Sequence, residues 1–99
     1  MNNIKNRLKG ALYGFAIGDA MGATTEFMSE AEIKRDYGKL TEIVGGGWLD
    51  LKAGEVTDDT QMSICVMEVL MKKDFNNFKR DVADSFVAWY DTNPKDIGN

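Results

Sequence analysis

No histidine occurs in this sequence, and cysteine occurs once, at Cys65. Without histidine, Ser-His-Asp and Cys-His catalysis within the chain are excluded. A single cysteine can form no internal disulfide and cannot contribute to a Cys/His zinc cluster. Cys65 lies in an apolar run and reads as a small buried residue, and an unpaired thiol suits a reducing, cytoplasmic compartment. Pro94 is the sole proline, and no apolar run is long enough to span a bilayer. Positive charge is also in short supply: 12 Lys and Arg against 16 Asp and Glu leave a net charge of −4. That balance offers no basic footprint for nucleic acid or anionic lipid.

What is present fits an ordinary soluble domain. The 99 residues are 43% apolar and 28% charged, enough for one domain whose core has little margin. At the N-terminus, Lys5, Arg7 and Lys9 followed by "ALYGFAIG" and "DAMGA" imitate the three regions of a signal peptide. The apolar stretch is short and broken by glycine, and Asp19 stands where a cleavage site requires a small neutral residue, so the segment reads as a helix of the fold.

Ile4, Leu8, Ala11, Leu12, Phe15 and Ala16 recur at helical spacing and predict a helix over 3–21. Gly10, Gly14, Gly18 and Gly22 fall every fourth residue, a stripe that reads as tight helix packing. Ser29 and Glu32 stand in capping-box spacing, so "SEAEIKRDYG" predicts a short helix ending at Gly38. Residues 39–56 have no helical period and carry a triple glycine that matches neither phosphate-loop pattern; it reads as a flexible turn positioning Trp48. A third helix, from Asp59 to Met71, is apolar nearly all round and demands neighbours on every side. The fourth, over 75–91, is amphipathic, with Phe75, Phe78, Val82, Phe86 and Trp89 as its stripe, Asp74 as cap and Asn93-Pro94 as stop. The fold class is therefore all-α with one long glycine-rich loop. The apolar third helix asks for a further partner surface, from a second chain or from more of the same one.

The stretch "TDDTQM", residues 57–62, sets two adjacent acids at the start of that third helix. Helix capping accounts for part of it: Thr57 or Asp58 can cap, Asp58 and Gln61 have capping-box spacing, and acids suit the positive end of the helix dipole. A divalent-metal site accounts for the doubled acid as well. Carboxylate and hydroxyl oxygens are hard ligands for Mg²⁺ or Mn²⁺, and Asp58 and Asp59 can diverge toward two ions. On the residues alone both readings stay open.

"GALYGFAIGDAMGATTEF" (10–27), "GGGWLDLKAGEVTDDTQMS" (45–63) and "NPKDIGN" (93–99), in that order, resemble the ADP-ribosylglycohydrolase family, and within it the dinitrogenase-reductase-activating branch. The resemblance covers essentially the whole chain. It implies an orthogonal helical bundle of that family's type and hydrolysis of the N-glycosidic bond between ADP-ribose and a protein arginine. It also implies two Mg²⁺ or Mn²⁺ ions that hold the ribose hydroxyls and a water. By the same resemblance Thr57, Asp58 and Asp59 correspond to metal ligands. Glu26 corresponds to a glutamate near the metals able to act as acid or base, and Asp96 to an aspartate contacting the ribose beside the scissile bond. Gly98 and Asn99 correspond to neighbouring substrate contacts. On the residues alone, Glu26 reads equally as an exposed helix-end charge and Asp96 as a turn residue.

The resemblance further implies that residues 1–99 are the N-terminal part of a single domain, because the family's second metal motif, Asp-x-Asp-Thr, has no counterpart among the remaining acids. The bundle is then incomplete, and the expected partners are an ADP-ribosylated protein or ADP-ribose together with a complementary C-terminal chain or a second copy. The alternatives are a non-catalytic module that binds ADP-ribose or metal, and a small all-α interaction domain whose acids only cap a helix.

Overall fold

The computed structural model describes residues 2–99 and is all-α: four helices, with one isolated antiparallel bridge between Gly46 and Leu51 and no strand among the described residues. The expected fold class is the observed one. The chain divides into two compact units, Met1–Val56 and Thr57–Asn99.

In the first unit, α1 (Asn2–Thr25) is longer than its periodicity predicts, because "GATT" continues the helix to the buried Ala23 and Thr24. Only its C-terminal end is packed. Ala20 and Ala23 are small enough for backbone to lie against them, and the Thr24 hydroxyl donates to the Gly45 carbonyl oxygen at 2.8 Å. One face of the rest, Ile4, Leu8, Leu12 and Phe15, is exposed. The tight packing expected of the glycine stripe is not seen among the described residues, where a Cβ on Gly10, Gly14, Gly18 or Gly22 would meet nothing within 4 Å.

α2 (Glu30–Asp36) is a single short helix held by its ends. Ser29 accepts from the Glu32 amide at 3.2 Å while Glu32 accepts from the Ser29 amide at 2.8 Å, the reciprocal box its spacing predicts. Gly38, left-handed at φ +67°, closes the other end by donating to the Ile33 and Lys34 carbonyls.

The triple glycine is a built turn. Gly45, Gly46 and Gly47 are all left-handed, with φ of 72°, 76° and 72°. Gly46 and Leu51 exchange both backbone hydrogen bonds, at 2.7 and 3.0 Å. A Cβ on Gly47 would strike the Ala23 carbonyl oxygen, and one on Gly45 would strike the Leu51 carbonyl oxygen, so both glycines mark close backbone approach. The turn presents Trp48 edge-on to Phe27, ring centroids 5.3 Å apart. The turn does place Trp48, but where a flexible turn is expected the backbone is held by paired hydrogen bonds and close contacts.

In the second unit, α3 (Asp58–Met71) and α4 (Phe78–Tyr90) pack on each other. Cys65 and Val69 are buried on α3, and the Cys65 thiol lies 3.9 Å from the Ser85 carbonyl oxygen. Ile64, Leu70 and Met71 of α3 remain exposed. α4 starts three residues later than its hydrophobic stripe suggests. Lys73 is left-handed, and Asp74 spends its carboxylate on the Asn76 amide at 3.2 Å in a local turn, so Asp74 does not cap the helix. Asn77 takes the N-cap position without a side-chain bond. Phe75 therefore lies outside the stripe, exposed, its ring 6.3 Å from that of Phe78, while Phe78, Val82, Phe86 and Trp89 are half-buried. No described helix is long and apolar enough to cross a membrane.

Candidate functional site

The first turn of α3 and the loop that follows α4 carry most of the predicted site residues, and both lie in the second unit. Thr57 is the N-cap. It is buried, extended at φ −108°, and its hydroxyl accepts from the Asp59 amide at 3.4 Å. Of the two caps allowed by the sequence, Thr57 is the one used. The capping box between Asp58 and Gln61 does not form, because the Gln61 side chain is engaged elsewhere, accepting from the Trp89 indole N–H at 2.8 Å.

With capping assigned to Thr57, the adjacent acids Asp58 and Asp59 occupy the first turn of α3. Asp58 is half-buried and Asp59 exposed. The Asp58 carboxyl sits above the usual aspartate range. Burial is the largest cause, then the negative charge of Asp96, with Asp59 adding to it and the Thr57 hydroxyl hydrogen bond pulling the other way. An acid placed to stabilise a helix N-terminus is expected to be held low by the dipole and by amide hydrogen bonds. A backbone amide hydrogen bond does pull Asp58 down, but burial and the neighbouring charges outweigh it.

Asp96 reaches this group from the chain's far end. After α4 stops, Thr92 and Asn93 turn the backbone, with Asn93 left-handed at φ 59°. Asp96 Oδ1 then accepts from the Gly98 amide at 3.1 Å, which folds the loop over itself. Gly98, at φ +70°, lies so close to α3 that a Cβ on it would stand 3.1 Å from Asp58 Oδ2. Thr57, Asp58, Asp59, Asp96 and Gly98 are thus gathered, while Asn99 is exposed at the end of the loop. Glu26 lies in the other unit, exposed in the turn that follows α1. A shallow cavity of about 260 Å³, lined by Tyr90, Asn93, Pro94, Lys95, Asp96 and Ile97, opens beside Asp96.

The donor set is two carboxylates and a hydroxyl on α3's first turn with a third carboxylate nearby, all hard oxygens of the kind Mg²⁺ or Mn²⁺ prefers. A cation among them would turn mutual repulsion into attraction. The set matches the kind of ion and supplies part of a shell: among the described residues, no three acidic, histidine or cysteine side chains are arranged to hold a metal.

Sequence reasoning missed Gln61 and Trp89. The available signal was a polar residue on the otherwise apolar third helix and an indole in the stripe of the fourth, two groups that need each other once buried.

The chain as a whole is similar to known proteins. The family model described as ADP-ribosylglycohydrolase matches residues 1–99. The ADP-ribosyl-[dinitrogen reductase] glycohydrolase of Rhodospirillum rubrum is 42% identical over 97 residues, covering 98% of this chain and 33% of the relative. The ADP-ribosylarginine hydrolase Tri1 of Pseudomonas putida (strain GB-1) is 42% identical over 88 residues, covering 86% of this chain and 21% of the relative. A putative ADP-ribosyl glycohydrolase of Acanthamoeba polyphaga mimivirus is 36% identical over 104 residues, covering all of this chain and 31% of the relative. The chain spans about a third or less of these relatives.

Proposed function

Since the chain belongs to the ADP-ribosylglycohydrolase family, we propose that it supplies the N-terminal part of a site that hydrolyses the N-glycosidic bond between ADP-ribose and a protein arginine. The observation that carries this reading is the pairing of Asp58 with the Asp96–Gly98 loop. Gly98 comes so close to α3 that a Cβ on it would stand 3.1 Å from Asp58 Oδ2, which sets the loop carrying Asp96 against the adjacent acids of α3.

In this reading Thr57, Asp58 and Asp59 hold one side of a divalent-cation pair, Mg²⁺ or Mn²⁺, which when bound fixes the sugar hydroxyls and acidifies a water. Asp96 faces the ribose beside the scissile bond, where its charge stabilises the positive character that develops as the bond breaks. Gly98 and Asn99 line the same edge, the glycine letting backbone approach the sugar. Glu26 serves as acid or base. The remaining ligands come from a complementary polypeptide, a C-terminal chain or a second copy. Support for that partner lies in the apolar residues exposed along α1 and α3 and in the greater length of the relatives.

A non-catalytic ADP-ribose- or metal-binding module is the second reading, favoured by the incomplete acidic set among the described residues. Release of ADP-ribose from ADP-ribosyl-arginine in Mn²⁺ separates the two. The chain alone is expected to turn over at background rate. It should gain turnover when mixed with the polypeptide corresponding to the rest of the Rhodospirillum relative, and an Asp58→Asn chain should not. A chain that binds ADP-ribose yet stays silent in every mixture is a binding module.

A further inference from the structure

Trp89 touches both segments that build the candidate site. Its indole N–H donates to Gln61 Oε1 at 2.8 Å in a partly buried hydrogen bond. Gln61 in turn closes the first turn of α3, its amide donating to the Thr57 carbonyl at 3.1 Å. Four residues after Thr57 and three after Asp58, Gln61 shares their side of the helix. At its other end, the Trp89 carbonyl accepts from the Thr92 amide at 3.0 Å and from the Thr92 hydroxyl at 2.6 Å, fixing the start of the loop that ends at Asp96 and Gly98. One residue therefore fastens the loop by its backbone and the Asp58 turn by its side chain.

The arrangement needs such a fastening. Gly98 lies so close to α3 that a Cβ on it would stand 3.1 Å from Asp58 Oδ2, an approach the loop keeps only if its start is fixed. We infer that the Gln61–Trp89 hydrogen bond is a positioning strut that keeps the Asp96–Gly98 loop seated against the first turn of α3. Neither residue touches substrate; both act through Asp58 and Asp96. The inference rests on the functional reading above only for its purpose, since the strut's mechanical role is tested without any ligand.

The test uses the full chain with Trp89→Phe, which keeps an aromatic ring but removes the donor, and Gln61→Met, which keeps length but removes the acceptor. In nuclear Overhauser spectra, cross-peaks between the Gly98 α protons and the Asp58 β protons are expected to fall at least about threefold in either variant. Cross-peaks between α3 and α4 around Cys65 and Ser85 should persist, which a general loosening of the helix pair would not allow. Mn²⁺ affinity should drop roughly fivefold in each variant and no further in the double variant, because both act through one bond. Undiminished Gly98–Asp58 cross-peaks would overturn the strut whatever happens to Mn²⁺. Failure of the unaltered chain to take up Mn²⁺ would instead sink the metal reading and leave the strut to the cross-peaks alone.

Discussion

Replacing Asp58 by Asn is expected to weaken Mn²⁺ binding by at least about 100-fold and, without the cation, to raise the stability of the folded chain. The first effect follows from removing a charged ligand, when losing only a hydrogen-bond partner of a ligand already costs about 10–100-fold. The second follows from electrostatics. Burial and the charges of Asp96 and Asp59 hold the Asp58 carboxyl above its ordinary value, so its ionised form opposes folding. A carboxyl raised in this way favours the folded state while protonated, and that contribution is lost as pH rises through its elevated value. Subtracting the pH–stability curve of the Asn variant from that of the unaltered chain should leave a fall with increasing pH just above the ordinary aspartate range. The gain at neutral pH is small, because solvent screens the group. Isothermal titration with Mn²⁺ and urea melts across pH read the two effects separately. A variant both weaker in Mn²⁺ and less stable would mean that Asp58 serves the helix after all.

The largest stability loss is expected in the triple glycine. Gly45→Ala and Gly47→Ala each force a side chain into a left-handed residue and drive its Cβ into backbone, the Leu51 carbonyl in one case and the Ala23 carbonyl in the other. Backbone cannot yield as a side-chain tip can, so each should cost on the order of 3 kcal/mol. Gly46→Ala bears the same φ with open space around its Cβ and should cost only about 1 kcal/mol. Denaturant unfolding of the three variants is the measurement. Equal losses at all three positions would mean that conformation alone matters and that the close backbone approaches at Gly45 and Gly47 carry no energy.

Period and caps made the helices legible. The apolar spacing placed α1, α3 and α4, and the reciprocal Ser29–Glu32 box was readable residue by residue. The misplaced start of α4 has a local cause: Phe75 is in phase with the stripe, but the Asp74 side chain satisfies the Asn76 amide and offers the backbone a turn in place of a helix. The glycine stripe misled because spacing says which residues share a face and nothing about what covers it. At the site, the donors of "TDDTQM" were visible from chemistry alone, whereas Asp96 and Gly98 were readable only through the family resemblance. No pattern links residue 58 to residue 96; the return of the loop after α4 does. The spacing of Gln61 from Asp58 permits a capping box, but its side chain pairs instead with an indole 28 positions away.

Few apolar side chains are fully covered in either unit: Ala20, Ala23 and Leu51 in one, Cys65 and Val69 in the other. Unfolding can expose only surface that folding has hidden. The response to urea should therefore be shallow for a chain of this length, and the heat-capacity increment small. A flat stability curve follows, one that varies little between cold and warm solutions. A polypeptide settling on the open faces of α1 and α3 would steepen both responses, so the slope of a melt, more than its midpoint, reports whether those faces are occupied.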